Sequence, residues 1–504
     1  MTEADPQITF VHTPMPVFRV PGAQDFWDGF DRQYYPAHPG LHPLQGRIMW
    51  ELPYWAHHLG GVLEEHGFQN TNMLNLYGDA ATLTTDNRVD PEYVRRELRA
   101  QGQAEAYLLS PMTANYPLAL QIAQVIKEEC PGSAIIFGGV MATPLHAETA
   151  RNPHVDYVVR DAGEVALPAL LKAIRSGGDV ADIGNLTYVD RNGELRVSPR
   201  MYPEIPPERL PMPKIDLFPG EVGEGLRYLR VVHALGCLSK CSFCTIRTIG
   251  RRPEYFPHER VLAEIDAFRD RYSAPLLATG QPPHNIYFGD ETFTEDPERT
   301  LAFLEELKQR GDIGYDAQTR LDRLQDPRII KALAESGCRW LEIGLETVHL
   351  KSRNEHKRGK RLQEDDQVRI LKTLRDAGIA ACAFTITGMS GQTLEDMRAN
   401  VEGVAELIDD GLLRATYSAV FVPYPGSQLY ERPEHFGIKI LHKDYGRYHE
   451  DLPPAFSTAQ APDPDKVHEV YLDGLGILAD AMKRSPFAAT GPGTYGNSWD
   501  QGHS

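Results

Sequence analysis

Residues Leu229–Ile246 read LRVVHALGCLSKCSFCTI. An apolar run suited to a buried strand ends at Gly236, and Cys237, Cys241 and Cys244 follow directly. The chain holds six cysteines in 504 residues, so half of them lie on this one loop. Six is too few for a disulfide framework in a chain of this length. In a reducing compartment, clustered thiols bind metal more often than they crosslink. The spacing C-x3-C-x2-C offers three thiolates, enough to hold three irons of a [4Fe–4S] cluster and leave the fourth iron open. A closed structural zinc site takes four ligands, and no nearby His or Cys completes such a set in zinc-finger order. Cys130, Cys338 and Cys382 stand singly in apolar or helical contexts and read as core packing.

Downstream of the cysteines the chain alternates helix and strand. NIYFGDE, GYDAQTR, WLEIGLE, ACAFTITG and RATYSAVFVPYPG read as strands, with amphipathic helices between them. With the first strand this makes six β/α steps, which fits a partial, open TIM-like barrel whose functional loops lie at the C-terminal ends of the strands. Upstream, ITFVHTP (Ile8–Pro14), NMLNLYG, EAYLLSPM, SAIIFGGV and VDYVVRDAGE read as further strands. Helices are expected over Tyr54–Phe68, Asn115–Gly132 and Val165–Gly178. Continuous apolar strands alternating with helices predict a parallel, doubly wound sheet. Asn192-Gly193 between alternating runs marks a hairpin. Prolines at 199, 203, 206, 207, 211, 213 and 219 then predict an ordered linker, since proline at this density is excluded from helices and sheets.

The motifs together resemble the radical S-adenosylmethionine (SAM) superfamily over roughly residues 226–430. The C-x3-C-x-Φ-C loop follows the first barrel strand, with Phe243 at the aromatic position. Gly289-Asp290-Glu291 stands where that family meets the SAM amino group, and Gln318 and Arg320 end the third strand. Gly344–Glu346 is similar to its ribose-contacting G-x-E. Thr387–Thr393, with Gly388, resembles its G-x-P-G-E-T turn, with Ser390 and Gln392 replacing Pro and Glu. Pro423–Ser427 resembles the P-x-P-G-T after the sixth strand. The resemblance implies a [4Fe–4S] cluster on Cys237, Cys241 and Cys244. It also implies SAM contacts from Phe243, Asp290, Glu291, Gln318, Arg320, Glu346 and Gly388. In such enzymes an electron from the cluster splits SAM into a 5′-deoxyadenosyl radical that abstracts hydrogen from unactivated carbon, while the protein orients and excludes water.

The first sheet resembles the cobalamin-binding domain found before many such barrels. That likeness implies cobalamin contacts from Ser110, Thr113, Gly138, Gly139, Gly163 and Glu164, at strand ends where doubly wound sheets bind ligands. The D-x-H-x-x-G motif that supplies an axial histidine elsewhere is missing, so His12 is not expected on cobalt. The expected fold is α/β: a doubly wound Rossmann-like cobalamin-binding domain (1–200), a Pro-rich linker (201–225), a partial (β/α)6 radical SAM barrel (226–430) and a mainly helical substrate-specificity region (431–504). Tyr445, Tyr448 and His449 are the aromatic candidates in that last region.

These readings imply a cobalamin-dependent radical SAM C-methyltransferase acting on a small molecule or natural-product intermediate, with flavodoxin or ferredoxin as external electron donor. Radical rearrangement, cyclisation or oxidation is the alternative, and a non-enzymatic iron–sulfur or cobalamin sensor is a second. A methylthiotransferase would need an N-terminal cysteine trio, and residues 1–225 hold only Cys130. Net charge is −18, which argues against a nucleic-acid partner. No apolar run reaches membrane-spanning length and the N-terminus lacks signal-peptide character, so a cytoplasmic enzyme is expected.

Overall fold

The structure, a computed structural model, describes residues 7–38, 51–77, 80–201, 205–218, 226, 228–249, 253–280, 283–357, 362–363 and 365–487. Parts of the expected linker (202–204 and 219–225) lie outside these described residues.

The first sheet has seven strands: β1 (Ile8–His12), β2 (Thr71–Asn75), β3 (Ala106–Leu109), β4 (Ala134–Phe137), β5 (Tyr157–Val159), β6 (Leu186–Val189) and β7 (Leu195–Val197). Their order is β2-β1-β3-β4-β5-β6-β7. The first five pair in parallel, and the β6–β7 hairpin adds antiparallel strands at one edge. Both faces are covered. Phe10, Met73, Leu108, Ile136 and Val159 pack under the helices Tyr54–Glu65 and Ala166–Ser176. Val11, Leu74, Tyr107, Leu109 and Phe137 pack under Pro91–Gln101 and Tyr116–Glu129. The strand period of two thus divides each run between two cores.

The second sheet contains β8 (Tyr228–Val231) and, after a two-stranded ribbon of β9 (Ala234–Leu235) and β10 (Glu254–Tyr255), four successive inner strands: β11 (Asn285–Phe288), β12 (Tyr315–Arg320), β13 (Cys338–Glu346) and β14 (Ala380–Thr387). β15 (Ala415–Val420) forms its other edge. The order β15-β14-β13-β12-β11-β8 is parallel throughout, with one or more helices between successive strands. A last ribbon pairs β16 (Ile438–Ile440) with β17 (Phe456–Thr458). Three of the crossover and terminal helices start alike. Asp296, Asp326 and Asp463 accept backbone N–H bonds as N-caps, each with proline next in the chain, as does Asp90 in the first domain. Proline at this site loses no helical bond and its fixed φ suits the first turn.

One element departs from the sequence expectation. The helix Ala23–Ala37, unread in the sequence, packs on the second sheet rather than the first. Phe30 meets Trp340 and Tyr417 with ring centroids 5.6 and 4.8 Å apart. Tyr34 and His38 both bond Asp316 of β12. The helix also lies along Pro464–Arg484, where Gln33 Nε2 donates to the Met482 carbonyl at 2.7 Å. At the crossing, Gly29 leaves only 3.3 Å between a built Cβ and Met482. No helix among the described residues is long and apolar enough to cross a membrane.

Candidate functional site

Parallel strands deliver their C-terminal ends to one edge of a sheet, and the cysteine loop opens there. Cys237, Cys241, Phe243 and Cys244 line a cavity of about 260 Å³ together with Glu291 after β11, Gln318 and Arg320 of β12, Glu346 of β13 and Phe384 of β14. The loop is held from several sides. Gly236 N donates to Glu291 Oε2 at 2.9 Å. Ser242 Oγ lies 2.9 Å from His356 Nδ1, and His356 Nε2 lies 3.0 Å from the Ser390 carbonyl. The Arg320 guanidinium donates to Cys241 Sγ at 2.8 Å and to Asp322 at 3.0 Å. Burial pushes the Cys241 thiol up and the Cys244 thiol up to about 11. Among the described residues no three His, Cys, Asp or Glu side chains converge as they do around a single metal ion. Cluster ligation has a different geometry, since each thiolate takes its own iron.

Glu346 sits at a register shift between β13 and β14 and has φ +63°, where few residues other than glycine are found. This irregularity accompanies a carboxylate that lines the cavity, where it pairs with Lys357 Nζ at 2.6 Å. Lys357 also donates to the Gly344 carbonyl at 2.7 Å. Burial draws its ammonium downward, against the pull of Glu346. Gln318 is engaged at both ends of its amide, by Asp290 O and Tyr287 Oη.

Two sequence candidates lie elsewhere. Asp290 is 1% exposed and does not line the cavity. Its carboxylate accepts from His233 N at 3.0 Å and Ala234 N at 2.7 Å, and burial pushes it up to about 7. The strand alternation that brings Glu291 to the cavity turns Asp290 the other way, onto the chain leading to the cysteines. Gly388 has φ +90° and faces Val467 of the terminal helix, with 3.0 Å for a built Cβ. In the neighbouring turn Gln392 Oε1 accepts from Met389 N at 3.0 Å, closing it without a glutamate at that position.

A second cavity, of about 330 Å³, lies between the first sheet and loops of the second. Ser110, Gly138, Gly139, Gly163 and Glu164 line it, as do His58, Leu235, Gly236, Ile246 and Glu291. Ile246 and Glu291 belong to both cavities. Gly139 has φ +81°, and a Cβ there would run into Ser110 Oγ, so these two residues pack tightly at the strand ends. Thr113, expected here, is buried beside the helix Tyr116–Glu129 and does not line the cavity. His12 is absent from the wall as well. It bonds Asn75 at 3.2 Å and stacks on Tyr77, and burial lowers its imidazole to about 4. Tyr445 and Tyr448 belong to the first domain's core, Tyr445 against Tyr116. His58, His356 and Lys357 carried no readable signal, because their partners are 34 to 114 residues away or, for Lys357, across a strand end.

Sequence profiles of two families match the chain: the radical SAM superfamily over residues 231–402 and the B12 binding domain over residues 51–171. An uncharacterised methyltransferase of Pyrococcus horikoshii is 27% identical over 318 residues, 62% of this chain and 66% of its own. Bacteriochlorophyllide d C-12(1)-methyltransferase of Chlorobaculum tepidum is 25% identical over 217 residues, 42% of this chain and 43% of its own. The chain therefore spans about two thirds of the first of these relatives and less than half of the second. Among solved structures, the radical SAM methyltransferase TsrM from Kitasatospora setae, with cobalamin and a [4Fe–4S] cluster bound, superposes with a TM-score of 0.62. It is 17% identical, covering 88% of this chain and 81% of its own. The cobalamin-dependent radical enzyme OxsB gives 0.58 at 17% identity, covering 91% and 57%. At these identities the likeness is one of fold.

Proposed function

We propose, from the radical SAM domain and the N-terminal cobalamin-binding domain that the chain carries, that it is a cobalamin-dependent C-methyltransferase acting on an unactivated carbon of a small molecule. The observation that carries this reading is the common wall of the two cavities, Ile246 and Glu291. A methyl carrier in the one and SAM in the other would be separated by a single layer of side chains. The donor set fits the groups: three thiols on one loop with no fourth protein ligand beside them among the described residues, and a largely apolar slot at the ends of a doubly wound sheet. Cys237, Cys241 and Cys244 would hold a [4Fe–4S] cluster. Ser110, Gly138, Gly139, Gly163 and Glu164 would line the cobalamin site. When bound, these groups supply one-electron cleavage of SAM and a transferable methyl group.

The chain's own residues bind, orient and exclude water. Glu346 and Glu291 offer carboxylate oxygens to hydroxyl and amine donors of SAM. Lys357 fixes the Glu346 carboxylate, and Arg320 places a fixed positive charge on the Cys241 sulfur. Phe243, Ile246 and Phe384 give the cavity apolar walls. We read the six parallel strands as a partial (β/α)6 barrel over 226–430, with the cobalamin domain before it; the helix Ala23–Ala37 is an N-terminal contribution to the barrel. A small-molecule substrate accords with the TsrM structure that has tryptophan substrate bound, and a flavodoxin or ferredoxin would supply electrons.

The test is product analysis of anaerobically reconstituted protein with cobalamin, SAM and candidate substrates. S-adenosylhomocysteine formed together with 5′-deoxyadenosine supports methylation. Deoxyadenosine alone moves the assignment to rearrangement, cyclisation or oxidation. Intact SAM under reducing conditions leaves the sensor reading.

A further inference from the structure

Ionisable side chains lie buried together beside the cysteine loop, and their charges do not balance. Arg320 donates to the Asp322 carboxylate at 3.0 Å, and Lys357 pairs with Glu346 at 2.6 Å. Each of these pairs is neutral as a unit. Arg353, on the helix Leu350–His356, is left over and is 1% exposed. Its Nη2 is 3.6 Å from Asp322 Oδ1, beyond hydrogen-bond reach, and that carboxylate already serves Arg320. Both Nη2 and Nε are buried with no hydrogen-bond partner. A guanidinium keeps its proton in proteins. Among the described residues Arg353 is therefore a buried positive charge in excess of Asp322 and Glu346, the carboxylates whose field it feels.

A buried charge without a partner is costly unless an anion answers it, and the position of Arg353 indicates which anion. The same helix seats on the cysteine loop. His356, one turn on, meets Ser242 Oγ at 2.9 Å, and its carbonyl accepts from Ser242 N at 3.0 Å. Asp322 links Arg353 to Arg320, whose Nη1 donates to Cys241 Sγ at 2.8 Å. Arg353 does not line the cavity that Cys237, Cys241 and Glu346 share, so it acts on a group there through its field rather than by contact. Thiolates on an iron–sulfur core make an anion, and one-electron reduction adds a further negative charge. Net charge and solvent exposure set the potential of such a cluster, and burial limits the screening of a fixed charge. We propose that the unbalanced charge of Arg353 raises the reduction potential of the cluster, and that Asp322 limits the rise. The electron passes from the external flavodoxin- or ferredoxin-type donor, which is oxidised, to the cluster, which is reduced, and no bond to the protein changes. The inference rests on the [4Fe–4S] reading above.

The test is the midpoint potential of the cluster in the full chain, reconstituted with iron and sulfide and checked for iron content. It is read from the EPR signal of the reduced cluster during titration with dithionite. Arg353→Leu should lower the reduced-to-oxidised ratio about tenfold at a given potential, a shift of about 59 mV for one electron, with iron content unchanged. Arg353→Lys keeps the charge and should stay near the wild type. Asp322→Asn removes a negative charge and should move the potential the opposite way. An unchanged potential in cluster-loaded Arg353→Leu overturns the assignment; if SAM binding weakens at the same time, the charge serves the SAM carboxylate instead. Equal shifts in Arg353→Leu and Arg353→Lys also overturn it, because shape rather than charge would then be the cause. Where Arg353→Leu fails to load a cluster, Asp322→Asn decides, and a potential at or below the wild type overturns the proposal. Loss of the cluster from both variants makes these residues scaffolding and overturns it as well. A wild type that holds no cluster overturns the parent reading first and this one with it.

Discussion

Replacing Asp290 separates two roles for one carboxylate. The sequence places it on the SAM amine, whereas the structure turns both its oxygens onto the backbone N–H groups of His233 and Ala234, at 3.0 and 2.7 Å. These residues lead within a few positions to Cys237. Asp290→Ala leaves two buried N–H groups without acceptors. Each orphaned donor costs about 1–3 kcal/mol, so the loss is on the order of 2–6 kcal/mol, reduced by relief of a carboxylate that burial disfavours. It falls on the loop that carries the cysteines. The assay is iron and sulfide content after anaerobic reconstitution, with SAM affinity measured on whatever fraction holds a full cluster. The expected result is incomplete cluster loading, with near-normal SAM affinity in the loaded fraction. Asp290→Asn keeps an acceptor oxygen and should load better than the alanine variant. Full cluster content together with weakened SAM binding in Asp290→Ala would refute the reasoning and return the carboxylate to the cofactor.

The same residue makes a pH prediction. Its native carboxyl is raised to about 7 by burial, so its contribution is complete below the ordinary carboxylate range and is lost as pH rises toward 7. That loss runs at up to about 1.4 kcal/mol per pH unit, and thermal melts of Asp290→Asn between pH 4.5 and 7 should show a flatter profile than wild type. Alanine at Cys237, Cys241 and Cys244 together should abolish the iron–sulfur absorbance, while Cys130→Ala, Cys338→Ala and Cys382→Ala retain it and lose stability through small packing defects. Glu346→Gln should weaken SAM by about five- to tenfold, the difference between a charged and a neutral hydrogen bond, with iron content unchanged; undiminished affinity by isothermal titration moves the contact elsewhere. Phe30→Ala should cost about 3–5 kcal/mol and raise protease sensitivity around Trp340 and Tyr417 rather than in the first sheet.

Much of the site was legible because its signals are local. In the cysteine loop, the G-x-E strand end and the glycines after β4, the members of each motif lie within a few residues of one another, and parallel strands carry each motif to the C-terminal edge of its sheet. What was not legible depends on contacts between distant segments. Asp290 and Glu291 are adjacent and chemically alike, and only the observed strand orientation sends one inward and the other to the cavity. Lys357 becomes a partner of Glu346 only after the chain folds back over the end of β13. The helix Ala23–Ala37 was hidden by Gly22 before it and Pro36 within it, and its apolar face has no seat in the sheet that follows it in sequence. Conversely, Tyr445 and Tyr448 looked like free aromatics in a specificity region, yet they fill the core beside Tyr116.

That early helix also sets a timetable for the nascent chain. Gln33 waits for Met482, 449 residues later, and Phe30 waits for Trp340 and Tyr417. At about 5–20 residues per second the ribosome needs on the order of half a minute to a minute and a half to supply the last of these partners. Until residues 340 and 417 are made, Phe30 and Tyr34 lack these native partners, while the first sheet has all its strands once residue 197 is made. Assembly of the second sheet around this helix is therefore a late, long-range event, and the waiting segment is the place where a chaperone would be needed and where expression at low temperature or slow induction would gain the most.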